Sequence, residues 1–323
     1  MSPEARPGPR SGGRGGGLVV VVGSVNTDYV MSVQRRPRPG ETIGDAVLEV
    51  YGGGKGANQA LAASVCGAEV ELVARVGADP MGEARVEELK ASGVGTGHVQ
   101  VTPGAVSGVA MITLTPDGEN EIIVAPGANS CLSPADIEKT AVLLGLSDVL
   151  LAQLEVPLES VERAVRLVGQ RAQVVLNCAP FRALPHELAV RLDVLVANEL
   201  EAAALADRRV ESVADALEVG QELRRRGPKA VVVTLGAEGA VVVAPELAEH
   251  IIAPATTAVD TTGAGDAFAG ALAAWLAAGE ALLDAVQFGV AVGSATTERL
   301  GATPIVPTHL RPSVPHGRTR ARG

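Results

Sequence analysis

Leu18-Val19-Val20-Val21-Val22-Gly23 is a run of five aliphatic residues, β-branched after the first and closed by glycine. A strand this uniformly apolar has to be covered on both faces, which is the situation of a strand inside a parallel sheet. The same signal returns at residues 70–76, 149–152, 174–177, 194–197 and 230–235. Between these runs lie Ala-, Leu-, Glu- and Arg-rich segments with helical spacing, at 57–66, 82–92, 134–144, 158–171 and 213–226. Strand and helix in alternation predict an α/β fold, a mostly parallel central sheet with helices on both faces.

Two stretches interrupt the alternation. Residues 45–51 and 107–125 read as strands with no helix between them, and Pro116-Asp117-Gly118 is a turn. Together with 29–33 they predict a small antiparallel sheet, assigned as a lid over a ligand cleft in preference to extra edge strands of the main sheet. The domain reading is a Gly/Arg arm at 1–17, one domain at 18–307 with its lid from about 27–52 and 105–126, and a basic tail at 308–323.

Composition narrows the function. The chain has 323 residues, 47% of them hydrophobic, with a net charge of −10. The two ends carry seven Arg against one acid, so the body between them holds 20 basic and 36 acidic residues, a net of −16. An acidic body with 2% aromatics has neither the basic groove nor the stacking platforms of a nucleic-acid binder. Three cysteines, Cys66, Cys131 and Cys178, lie far apart without paired spacing, as expected of buried thiols in a reducing compartment. The Ala- and Leu-rich uncharged run 267–279 is too short to span a bilayer, and the apolar run before Asn26 is too short for a signal peptide. These features predict a cytoplasmic protein, with mitochondrial import a minor alternative.

Chemistry concentrates in a few loops. Asp260-Thr261-Thr262-Gly263-Ala264-Gly265-Asp266 runs directly into an Ala-rich helix. The glycines let successive N–H groups turn toward one point, and the helix start adds its unpaired amides, so the segment is an anion hole. Asp266 alone reads equally well as a helix cap. A carboxylate inside an anion hole is also what phosphoryl transfer to an alcohol needs: amides for the transferred group, and a base for the hydroxyl. A second cluster, Gly52-Gly53-Gly54-Lys55-Gly56-Ala57-Asn58, matches neither a Walker A loop nor a dinucleotide fingerprint. Lys55 and Asn58 are three apart on a first helical turn, and their mixture of donors and acceptors suits a hydroxyl-rich ligand. Asn26 and Asp28 after the first strand, Glu155 after the strand at 149–154, and Asn198 with Glu201 after the strand at 194–197 all fall at strand C-terminal ends. Each alone is an ordinary turn, cap or solvated residue; one cleft at one sheet edge accounts for all of them.

Six ordered motifs, GSVNTD at 23–28, GGKGANQA at 53–60, LAQLEVPLES at 151–160, NELEA at 198–202, TLGAEG at 234–239 and DTTGAGD at 260–266, resemble those of the ribokinase-type (PfkB) carbohydrate kinases. The resemblance runs from about Leu18 to Pro307, and GGKGANQA with NTD favours the ribokinase branch. It implies ATP-dependent phosphorylation of D-ribose at O5. It implies that Asn26, Asp28, Gly54, Lys55, Asn58 and Glu155 hold the sugar, that Asp266 is the base, and that Gly263, Ala264 and Gly265 present amides to the phosphoryl group. Asn198, Thr234, Gly236, Ala237, Gly239 and Gly265 would line the nucleotide site, and Asn198 and Glu201 would help place Mg²⁺ through water. A K⁺ activator is implied beside the anion hole, held by the Asp260 carboxylate and the backbone oxygens of Thr262, Thr296, Arg299 and Gly301. The family also implies a homodimer joined through the lid sheets.

The chain departs from the family pattern at three places. Ile305 stands where a hydroxyl residue is usual near the K⁺ site, Val290 where a polar residue often meets the nucleotide, and the run Gly52-Gly53-Gly54 has one glycine more than usual. Two rival readings remain open: a sibling kinase for 2-deoxyribose, fructose or adenosine, and a sugar or nucleotide sensor without turnover. Six aromatics in the chain are few for a nucleoside site.

Overall fold

The computed structural model describes residues 16–116, 120–299 and 301–307. The expected arm and tail lie almost wholly outside the described residues, as do Asp117 and Gly118 of the expected turn. Thirteen strands form among the described residues: β1 (Leu18–Val22), β2 (Asn26–Ser32), β3 (Val47–Gly53), β4 (Glu69–Gly77), β5 (Gly95–Thr102), β6 (Gly108–Leu114), β7 (Asn120–Ala125), β8 (Val149–Ala152), β9 (Gln173–Asn177), β10 (Val194–Asn198), β11 (Ala230–Thr234), β12 (Ala240–Ala244) and β13 (Leu247–Ile251).

Nine of them make one sheet in the order β13-β12-β11-β10-β9-β8-β1-β4-β5. The seven strands from β11 to β5 are parallel, and β12 and β13 close one edge antiparallel. The expected α/β class is therefore what the chain adopts. β1 lies among the central strands because its residues are apolar on both faces. Val19 and Val21 pack with Ala60 and Ala63 of the helix Lys55–Val65 and with the helices Ala264–Ala277 and Leu282–Thr296. Val20 and Val22 enter a second core with the helices Leu158–Leu167 and Val213–Arg225. With so few aromatics, Ala and Val do most of the packing; Trp275 and Phe288 join two of the helices by stacking at 4.1 Å between ring centroids.

The second sheet is separate and four-stranded, in the order β3-β2-β6-β7, and mixed where an antiparallel sheet was expected: β2 pairs β6 in parallel because the chain crosses through the main sheet between them, and only β3 and β7 pair antiparallel. It contains the stretches that broke the alternation, with β2 starting at Asn26, so Asn26 and Asp28 belong to this sheet and not to a loop after β1. Several large apolar side chains on it face solvent, among them Leu48, Ile122 and Ile123, the last 73% exposed.

Some boundaries differ from the sequence expectation. The helix expected over 134–144 is two, Pro134–Glu138 and Ala141–Leu146, because the N–H and hydroxyl of Thr140 both turn back onto Ile137 O. The helix expected to reach residue 171 ends at Leu167, where Gly169 N–H bonds Leu144 O. β5 and β13 are edge strands whose polar residues hide the continuous apolar signal of their neighbours. Cys66 and Cys178 are buried free thiols as expected, but Cys131 is exposed at the end of a short 3₁₀ turn, Gly127–Cys131. No helix among the described residues is long and apolar enough to cross a membrane.

Candidate active site

The parallel strands β1, β8, β9, β10 and β11 end at one sheet edge, and the small sheet stands over it. The loop 260–266 delivers Asp266 there. Gly263 caps the helix Ala264–Ala277 at φ +76°, and a methyl group in its place would come within 2.4 Å of Ala302 Cβ. This turn opens the first helical turn, where the N–H groups of Gly265 and Asp266 have no carbonyl four residues back inside the helix and the Ala264 N–H bonds Thr261 O at 3.3 Å, while Asp266 is only 7% exposed.

Both oxygens of Asp266 are held. Asn58 Nδ2 donates to Oδ2 at 3.0 Å, and Gln59 Nε2 donates to Oδ1 at 2.9 Å. Lys55 opens the same helix, after Gly54 at φ +89°. Its ammonium is pushed to a higher pKa, first by Asp266 and then, against the opposing effect of burial, by Glu155, Glu201 and Asp28. One cation among four carboxylates is the electrostatic centre of the site.

Glu155 follows β8 and is tied inward: its Oε2 accepts from the Ser24 hydroxyl at 2.5 Å and from Lys55 N–H at 3.0 Å. Asp28 is pushed from 3.8 to about 6, first by burial and then by the charges of Glu155 and Asp266; Lys55 and Arg85 pull the other way. Its Oδ1 is buried without a partner and lies against Gly53, where a methyl group would be 2.1 Å away. Asn26 Oδ1 accepts from Asn129 Nδ2 at 2.7 Å, and Asn129 also exchanges bonds with the backbone of Val25. Thus Asn26, Asp28, Gly54, Lys55, Asn58, Glu155 and Asp266 gather in one place, as expected from their sheet-edge positions. A cavity of about 340 Å³ opens beside them, sharing Asn58 with the cluster and continuing past Gly53 to Arg85 and Thr303.

Next to this cluster, Asn198 and Thr234 sit side by side at the last register pair of β10 and β11. Asn198 caps the helix Glu199–Ala206 in a reciprocal box: its N–H donates to Glu201 Oε2 at 2.9 Å, and Glu201 N–H donates to Asn198 Oδ1 at 2.8 Å. Glu201 is pushed above its usual range by burial, with Asp266 adding to this and the Asn198 N–H and Lys55 opposing it. Gly236 and Ala237 form a 3₁₀ turn after β11, and Gly239 closes it through its carbonyl to Leu235 N–H. Val290 is buried in the core beside the helix Ala264–Ala277.

Asp260 stands at the base of the anion loop. Burial pushes its carboxyl up, but a hydrogen bond from the Thr262 side chain and the N–H groups of Gly301 and Thr262, each 2.8 Å from one oxygen, outweigh that and hold it below the usual value. The hydroxyl of buried Thr296 is already used, donating to Val292 O and accepting from Ile305 N–H. Arg299 is exposed on the same turn. An ionised carboxylate with free lone pairs beside a tight turn fits a monovalent cation. Among the described residues no three Asp, Glu, His or Cys side chains assemble as a metal site. A Mg²⁺ here fits only as a hydrated ion brought by nucleotide phosphates, with Glu201 reaching it through water.

The residues missed in the sequence are the supports: Ser24, Gln59, Asn129, Gln153 and Asn177. Ser24, Gln59 and Gln153 lie inside motifs already quoted, and each is a polar side chain in an apolar run that becomes fully buried. A buried amide or hydroxyl must find partners, and that was the available signal.

The comparisons with known proteins agree with this geometry. The family model described as pfkB family carbohydrate kinase matches residues 17–309. The ribokinase of Haemophilus influenzae is 34% identical over 291 residues, covering 90% of this chain and 95% of that protein. The deoxyribokinase of Salmonella typhi is 34% identical over 257 residues, covering 79% and 84%. Among solved structures, Arabidopsis thaliana ribokinase complexed with ribose and ATP superposes with a TM-score of 0.78 at 30% identity, covering 89% of this chain and 95% of that one. With the family model matching nearly all of the described chain and relatives above 30% identity along most of their length, this chain belongs to the pfkB family of carbohydrate kinases.

Proposed function

We propose that the protein transfers the γ-phosphoryl group of ATP to O5 of D-ribose, giving ribose 5-phosphate and ADP. The observation that carries this is Asp266: a buried carboxylate in the first turn of a glycine-capped helix, with amides beside it and sugar-binding side chains facing it. The ribokinase relatives, one of them complexed with ribose and ATP, support the substrate pair. The deoxyribokinase relatives make 2-deoxyribose the nearest alternative.

Ribose enters between the small sheet and the main sheet edge. Asp28, with an unpartnered buried oxygen, and Glu155 accept from its hydroxyls, while Asn26, Lys55, Asn58 and the Gly54 backbone complete the grip. The small sheet acts as a lid, and its closure keeps water from competing for the phosphoryl group. Lys55 balances the carboxylates so that an anionic nucleotide can approach. ATP lies along Asn198, Thr234 and the turn from Gly236 through Ala237 to Gly239, with its γ-phosphoryl over Gly263, Ala264 and Gly265.

Asp266 accepts the proton of the primary hydroxyl as O5 attacks. The O5–P bond forms, the bond from phosphorus to the β,γ-bridging oxygen breaks, and the electron pair leaves on ADP. Amides of the anion loop stabilise the charge on the transferred group. Asn198 and Glu201 would hold the water shell of a bound Mg²⁺, which would neutralise phosphate charge. The Asp260 carboxylate and the backbone oxygens of Thr262, Thr296, Arg299 and Gly301 would hold a K⁺, which would stiffen the loop that carries the amides. The exposed apolar face formed by Leu48, Val50, Met111 and Ile123 supports a homodimer joined through the lids.

The test is Asp266→Asn, assayed for ADP formation and, by calorimetry, for ribose binding. The expected result is a fall in kcat of about a thousandfold or more with ribose affinity within about threefold of wild type. A loss under about tenfold removes Asp266 from the role of base.

A further inference from the structure

Beneath Asp266 runs a buried line of amides that the transfer step does not use. Gln59 is fully buried, and its Nε2 spends one proton on Asp266 Oδ1 at 2.9 Å and the other on Asn177 Oδ1 at 3.0 Å. Its Oε1 accepts from Nε2 of Gln153 at 2.8 Å, and Gln153 is also fully buried. The direction of this line is forced. An ionised carboxylate only accepts, so Gln59 must present its nitrogen to Asp266, and its oxygen is left for the nitrogen of Gln153. Gln153 Oε1 is left as a buried oxygen without a partner, which shows how far the arrangement is bent to keep the donors pointing at Asp266.

The helices that carry the pair are locked together. Gly270 of the helix Ala264–Ala277 faces Gln59 so closely that a methyl group there would come within 2.5 Å of the Gln59 carbonyl. The bond from Gln59 to Asp266 is therefore a fixed strut between two rigid elements, whereas Asn58, on the cavity side, is free to exchange Asp266 for an incoming hydroxyl.

We infer that Gln59, held by Gln153 and Asn177, is a positioning residue for the catalytic carboxylate. It ties Oδ1 from the interior, fixes the carboxylate plane, and leaves Oδ2 as the oxygen that meets the acceptor hydroxyl. With Oδ1 occupied by a donor, the proton released by that hydroxyl is received on Oδ2, and the strut survives the transfer. The inference rests on Asp266 being the base, and its test separates the two.

The variants are Gln59→Met, which keeps length and burial but removes the donor, Gln153→Met, Asp266→Asn, and the double variant Gln59→Met/Asp266→Asn. Each is assayed for kcat, KM for ribose and ATP, ribose binding and thermal unfolding. A misdirected base costs turnover and not affinity, so Gln59→Met should lower kcat about 10- to 100-fold with ribose KM within about threefold. Gln153→Met should give a smaller loss of the same kind, about three- to tenfold, since Asn177 still holds Gln59. Adding Gln59→Met to Asp266→Asn should cost nothing further in kcat.

Folded Gln59→Met with kcat within twofold of wild type, or with its whole loss in KM, overturns the inference. So does a full additive loss in the double variant. If Gln59→Met fails to fold, Gln153→Met decides, and an unchanged kcat there overturns it. An inactive Asp266→Asn beside a fully active Gln59→Met removes the strut alone; an active Asp266→Asn removes the base reading itself.

Discussion

Asp28 sets function against stability, and replacing it by Asn should expose the conflict. Its carboxyl is carried from 3.8 to about 6 by burial and by Glu155 and Asp266, even with Lys55 and Arg85 pulling it down. At about 1.4 kcal/mol per pH unit, holding it ionised costs the folded protein about 3 kcal/mol above the unfolded pKa and above pH 6. Water reaching part of the side chain reduces this to about 1–3 kcal/mol. The sign follows from proton binding: between 3.8 and about 6 the native state holds the proton more tightly than the unfolded chain. This group therefore stabilises the fold at low pH, and that contribution is lost as pH rises through the window.

Asp28→Asn removes the charge and keeps the shape. The sugar-free variant should unfold about 2–6 °C above wild type at pH 7.5, at about 2 °C per kcal/mol for a domain of this size. At pH 5, where native Asp28 is mostly protonated, the gain should shrink by roughly half. The same change should weaken ribose binding about 10- to 100-fold, since a hydrogen bond to a charged group is lost. Wild-type ribose affinity should in turn fall about tenfold between pH 7 and pH 5 as Asp28 takes up its proton. Scanning calorimetry at the two pH values, with titration calorimetry for ribose, reads all of these. An Asn variant no more stable than wild type at pH 7.5, or a gain that ignores pH, refutes the reasoning.

Three further outcomes follow. Turnover should depend on the monovalent cation only weakly, or with altered selectivity, because Ile305 supplies no side-chain oxygen beside Asp260; rates identical in K⁺, Rb⁺, Cs⁺ and choline would rule out a working site. Gly263→Ala, at φ +76° and facing Ala302, should cost about 1–3 kcal/mol and lower kcat far more than ribose affinity, because it displaces the amide loop; wild-type kinetics would remove the loop from transition-state binding. Ile123→Asp on the exposed face of the small sheet should yield a monomer in sedimentation where wild type is a dimer, and a monomeric wild type would end the dimer reading.

The fold was legible in most of the fully buried central strands, although the equally apolar β12 and the helix Leu282–Thr296 were not singled out. Central strands such as β1 and β8 have no solvent face, so their apolar runs could not be misread. β5 and β13 escaped because an edge strand tolerates Gly, His and Glu, which erase the pattern. The cluster around Asp266 was legible for a different reason: strand C-terminal ends must meet at one edge of a parallel sheet, so polar residues far apart in the chain had to converge. Which oxygen contacts which amide was not legible. Asn129 reaches Asn26 across 103 residues through a 3₁₀ turn, and nothing local marks such a contact. Nor did the N-x-x-E spacing of Asn198 and Glu201, which the resemblance ties to Mg²⁺, reveal that the pair closes a helix cap.

The most direct test of the account is turnover of the purified protein with ATP and, in parallel, D-ribose, 2-deoxyribose, fructose and adenosine in K⁺ buffer, with the phosphorylated product identified by ³¹P NMR. The account predicts the highest kcat/KM for D-ribose, with the phosphate on O5. A higher kcat/KM for another acceptor would contradict the substrate assignment, and ribose binding without turnover would contradict the phosphoryl-transfer role of Asp266 and its anion loop.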